Sequence, residues 1–90
     1  MKESLKKYLK KRVVLDTRSS FLYIGKLEKV LDGCVVLTDV DVHDSRETAT
    51  SKEVYVLESK KTGIKANRER VFINLDYVIS FSGLDEVKVF

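Results

Sequence analysis

An Asp-Gly pair, Asp32-Gly33, stands between two apolar-rich runs in residues 21–42, FLYIGKLEKVLDGCVVLTDVDV. Such a pair between alternating runs is a strong local signal for a β-hairpin. Gly25 interrupts the first run, where a glycine marks a sharp bend or bulge. Alternation puts Tyr23, Gly25 and Leu27 on one face and Leu22 and Ile24 on the other, so both faces are covered. Beyond the turn, Val35, Val36 and Leu37 again offer apolar groups to both sides, and Asp39 and Asp41 restore a wet one. A long hairpin bent at a glycine and buried on both sides suits a small closed barrel.

The 90 residues make one domain, 1–90, with room for a modest core. A chain of this size buries only roughly 60–65% of its unfolded surface, so assembly is an expected source of further stability. Apolar content of 43% beside 34% charged residues is that of a globular protein. No apolar run approaches the roughly 20 residues of a membrane-spanning helix, and no secretory apolar segment follows the lysine-rich start. One cysteine builds no internal disulfide framework and favours a reducing compartment. The expectation is cytoplasmic. A net charge of +3 permits an anionic partner without requiring one.

In chain order, residues 2–11 read as a short helix with a stripe of Leu5, Tyr8 and Leu9 among lysines. Residues 12–16 form the first strand and 17–20 a turn, and the hairpin follows. A helical insertion is expected at about 51–62: Thr50 and Glu53 have capping-box spacing, Lys60 and Lys61 suit the negative end, and Gly63 suits the stop. The β-prone Val54-Tyr55-Val56-Leu57 is the argument for a strand there instead. Residues 70–74 and 77–81 read as two closing strands, and 83–90 as a tail that lies along a neighbour.

Asp39, Asp41 and His43 alternate along one exposed strand and could meet at a divalent metal, but spacing supplies no fourth ligand and no metal site is assigned. Cys34 reads as a small core residue. No nucleophile–base pair or phosphate-binding glycine loop is legible, so no enzyme, cofactor or small-molecule substrate is inferred. Lys2, Lys6, Lys7, Lys10, Lys11 and Arg12 crowd one end, and Lys60, Lys61, Lys65, Arg68 and Arg70 form a second basic group. Clustered cations with nearby aromatics suit a nucleic-acid backbone; a solvated, solubilising helix is the other reading.

The order of helix, three strands, helical insertion and two short strands resembles the Sm-like family. Tyr23, Gly25, Leu27, Asp32 and Val35 to Leu37 resemble its first motif, and Val71, Ile73, Val78 and Phe81 its second. The resemblance implies a mostly β fold, a strongly bent five-stranded antiparallel barrel with an N-terminal helix. It implies homo-oligomeric ring closure through Val71, Phe72, Ile73, Val78, Ile79 and Phe81. It also implies RNA as a partner, for which Lys6, Lys7, Lys10, Lys11, Tyr23 and Asn74 are the candidate contacts. Two positions depart from the pattern: Gly33-Cys34 stands where the family usually has a pocket Asn, and Asn74-Leu75 where it has Arg-Gly. A structural or protein-interaction module that has lost the RNA pocket is the alternative.

Overall fold

The computed structural model describes residues 1–89. After α1 (Lys2–Lys6) come β1 (Arg12–Thr17), β2 (Phe21–Val30) and β3 (Cys34–Asp44), then α2 (Lys52–Thr62), β4 (Arg68–Asn74) and β5 (Val78–Gly83). One antiparallel sheet runs in the order β4-β3-β2-β1-β5. β4 and β5 lie at its two edges and are not hydrogen-bonded to each other, so the barrel expected as closed is open along that seam.

Two bulges bend the long hairpin. Between the pairs Ile24–Asp41 and Lys26–Thr38, β3 uses one residue more than β2, and Asp39 takes up the excess at φ 50°. Between Leu27–Leu37 and Lys29–Val36 the extra residue is on β2. Gly25 faces the first bulge, where a Cβ would lie 3.1 Å from Thr38 O and 3.2 Å from Val40 Cα. A glycine is therefore what lets the strands cross so closely. At the tip, Leu31 N–H donates to Cys34 O (2.8 Å) and Gly33 takes φ 78°, as the Asp-Gly signal requires.

Each face of the sheet has its own apolar cluster. Leu5, Val13, Leu15, Leu27, Val35, Leu37, Val40, Ile73 and Val78 fill the concave side, with Tyr8, Tyr23 and Phe81 packed against them. Val14, Leu22, Ile24 and Leu84 form a second cluster on the outer side, roofed by Tyr55, Val56, Ile64 and Val87. The residues 83–87 thus cover the chain's own sheet, not a neighbour's; Phe90 lies outside the described residues.

The amino-terminal helix is shorter than the expected 2–11. The α-helix ends at Lys6, and the amides of Lys7, Tyr8, Leu9 and Lys11 donate three residues back instead of four. Tertiary pairing is the cause: Lys10 N–H donates to Leu27 O (2.7 Å) and Leu27 N–H to Lys11 O (2.9 Å), with Lys10 at φ 70°. Leu5 is buried and Tyr8 packs edge-on to Phe81, but Leu9 of the expected stripe is exposed. β4 begins two residues earlier than expected. Leu75–Tyr77 is a tight turn, and β5 runs on to Gly83.

The insertion is the helix that its start and stop signals favoured. Its cap is Ser51 in place of Thr50, with Ser51 Oγ accepting from Val54 N–H at 3.2 Å, and Gly63 ends it at φ 95°. Lys52 pins its first turn, donating to Asp16 Oδ1 (2.6 Å) and Ser19 O (2.9 Å). Val54, in its first turn, is exposed.

α2 also corrects the reading of the acidic strand. Asp41 and His43 do share the outer face, paired with Ile24 and Leu22, but that face is roofed and both are buried. Tyr55 OH donates to Asp41 Oδ2 at 2.5 Å, and its ring stacks on His43 at 3.6 Å and 9°. Asp39, in the bulge, stays exposed; the three do not converge, and among the described residues no metal-binding cluster forms.

Burial first, and the Asp41 carboxylate second, push the Tyr55 hydroxyl up to about 12 from an ordinary 10.0. A raised folded value means that the stability gained is fully present below about pH 10 and lost as the pH rises through about 12. Tyr55→Phe keeps the stack but leaves the buried Asp41 only the long bond from Asn67 Nδ2 (3.5 Å), for an expected loss of about 1.5–3 kcal/mol. Denaturant melts should show that loss at neutral pH, and the variant's alkaline decline should be shallower than the wild type's, the raised Tyr8 and Lys2 supplying what remains.

Candidate nucleic-acid interface

The amino-terminal cations are largely spoken for. Lys2 is paired with Asp32, Lys6 with Glu3 (3.3 Å), Lys10 with Glu28 and Arg12 with Asp85 (3.2 Å). Lys2 holds the Asp32 carboxyl below its ordinary range, and Lys10, with weaker help from Lys26 and Arg70, does the same for Glu28. Pairs this exposed contribute little to stability, yet each cancels charge that a phosphate would need. Of the four candidate lysines, Lys7 and Lys11 make no ion pair among the described residues; Lys11 Nζ lies 6.0 Å from the Tyr8 ring centre. Tyr8 itself is tied down, donating to Glu86 Oε1 at 2.7 Å.

Tyr23 and Asn74 are not brought together. Tyr23 pairs with Val42 and Asn74 with Cys34, at opposite ends of β3 and roughly 26 Å apart along the strand. Tyr23 is half-buried against the concave core, its ring 6.4 Å from Phe21. Asn74 sits where the hairpin tip meets the β4–β5 turn, joined by Leu75 N–H to Gly33 O at 2.9 Å. Its Oδ1 caps that turn by accepting from Asp76 N–H (2.9 Å), leaving the amide nitrogen to face solvent. Asp32 and Asp76 are both exposed beside it, and the cations at this junction are engaged, Lys2 with Asp32 and Arg18 with Asp76 O, so the Asn74 amide stands among carboxylates.

The six expected interface residues divide in two. Ile73 and Val78 are buried in the chain's own core, and Val71 and Phe81 pack against it. Phe72 and Ile79 are the exposed pair, at 64% and 56%, one on each edge strand. The edge of β4 has free donors. Asn67 N–H bonds Val40 O on β3 and Leu75 N–H bonds Gly33 O just before it, so by alternation Val71 N–H points inward and Phe72 N–H outward.

Sequence reasoning passed over Lys26 and Lys29. Together with Arg68 and Arg70 they are exposed and make no ion pair among the described residues. The alternation of β4 was the available signal; the alignment of β2 with it was not, because two bulges intervene.

No family model matches the chain, and no curated protein matches it significantly. A solved structure does: the Sm protein of Pyrococcus abyssii, determined in complex with a uridine heptamer. The two superpose with a TM-score of 0.62 at 18% identity, over 90% of this chain and 93% of that one. With its bent five-stranded sheet, amino-terminal helix and helix between the third and fourth strands, this chain has the Sm-like fold.

Proposed function

We propose that the protein is a non-catalytic, self-assembling Sm-fold subunit of the cytoplasm that binds RNA through backbone charge and modest base stacking. The observation that carries this reading is the pair of free edges. An Sm-like sheet whose outermost strands, β4 and β5, leave their outer backbone edges unpaired beside apolar side chains is half of a repeating contact. A free apolar edge associates open-endedly unless a rotation closes it. Pairing β4 of one copy with β5 of the next is such a closure. RNA is favoured as ligand by the mildly basic surface and by the likeness to a protein solved with a uridine heptamer.

The acid-flanked junction around Asn74 favours a second reading, a ring that serves only as a protein scaffold. Titration of a labelled oligouridylate separates the two. The RNA reading expects an affinity that falls with salt, with a log–log slope of about −0.7 for each phosphate neutralised on a single strand. Absence of binding at about 50 mM salt, where the electrostatic contribution is strong, would leave the scaffold.

A further inference from the structure

We infer that the outward face of β4, flanked by two lysines of β2, is the track along which a single-stranded nucleic acid lies. This rests on the RNA reading above and names its surface. Arg68, Arg70, Phe72 and Asn74 are all exposed along β4, while Val71 and Ile73 turn to the concave core. Positions two apart on a strand are roughly 6.6 Å apart, close to the step between phosphates on an extended polynucleotide. An Arg-x-Arg-x-Phe-x-Asn stripe therefore presents two cations, a ring and an amide at a nucleotide-like interval.

The sheet register widens the stripe. Lys26, Thr38 and Arg70 stand directly opposite one another across β2, β3 and β4, and Lys29, Val36 and Phe72 do so on the next row. Directly opposed residues face the same way, so the two lysines form a second column roughly 10 Å from the first. None of Lys26, Lys29, Arg68 and Arg70 has an ion-pair partner among the described residues, unlike Lys2, Lys6, Lys10 and Arg12. Of the nearby acids, Glu28 is paired with Lys10 and feels Lys26 and Arg70 more weakly, Glu69 alternates to the other side of β4, and Asp32 and Asp76 lie at the Asn74 end, away from the four cations.

Unpaired cations neutralise phosphates without reading sequence, and an exposed ring stacks any base. Phe72 is the most exposed of the large apolar side chains among the described residues. On that face it stands between Arg70 and Asn74 and beside its row partner Val36, and its exposure lets a base reach the ring. Edge pairing between copies would use the backbone of β4 and leave these side chains on the outside.

The test is fluorescence anisotropy of a labelled oligouridylate at several salt concentrations. The variants are Arg68→Gln/Arg70→Gln, Lys26→Ser/Lys29→Ser, Phe72→Leu and Lys7→Ser/Lys11→Ser, each first matched to the wild type in mass and melting. Each pair of β2 or β4 substitutions should weaken binding at least roughly tenfold and flatten the salt slope by about 1.4, two phosphates' worth. Phe72→Leu keeps apolar bulk at the edge but not the ring, so it should weaken binding roughly tenfold with the slope unchanged. Lys7→Ser/Lys11→Ser should stay within about twofold. If the sheet variants bind like wild type and the Lys7/Lys11 variant does not, this surface is refuted and the RNA reading survives. If the wild type itself fails to bind at about 50 mM salt, both are refuted.

Discussion

Gly25→Val is expected to lower the melting temperature by roughly 10–20 °C. The reason is geometric. A Cβ at residue 25 would already stand 3.1 Å from Thr38 O and 3.2 Å from Val40 Cα, and these are backbone atoms that no rotamer change can move. They belong to the bulge around Asp39 that bends β3 across β2. Gly25→Ala asks this bulge to give by a few tenths of an ångström, at about 1 kcal/mol; the γ-carbons of valine raise that to about 2–3 kcal/mol. Thermal melts followed by circular dichroism read both. If Gly25→Val melts with the wild type, the two strands do not cross as closely as described.

Phe72→Pro is expected to abolish assembly and leave the fold standing. Phe72 N–H points away from β3, so the substitution removes a donor from the free edge and not from the chain's own ladder. A proline at Val71, whose N–H points inward, should instead unfold the domain. Ile79→Pro is the counterpart on β5 and should also give monomers if the Ile79 N–H is one of the donors across that edge. Size-exclusion chromatography with circular dichroism distinguishes a folded monomer from an unfolded chain. A Phe72→Pro variant that keeps the wild-type mass contradicts pairing through this edge.

What could be read from the sequence was what is decided locally. The turn at Asp32-Gly33, the stop at Gly63 and the bend at Gly25 each depend on one backbone conformation or one close approach, and the residue type announces it. The alternation in residues 21–27 placed Tyr23 and Leu27 on one core and Leu22 and Ile24 on the other, as found. Tertiary competition hid the rest. Nothing local shows that Leu27 will take Lys10 and Lys11 from a helix. The alternation of Asp41 and His43 was correct, but their exposure was not, because the roof over them comes from Tyr55, more than ten residues further on. For the candidate site, the six amino-terminal cations drew attention by crowding, although four are paired. Lys26 and Lys29 join Arg70 and Phe72 only through a register that two bulges set.

The claim on which the account turns is that β4 and β5 are complementary edges of a closed assembly. Light scattering of the wild-type chain at micromolar concentration addresses it most directly. The account predicts one sharp mass, a whole multiple of 10.3 kDa, that holds on dilution. A stable 10.3 kDa monomer, or a mass that climbs without limit as concentration rises, contradicts it.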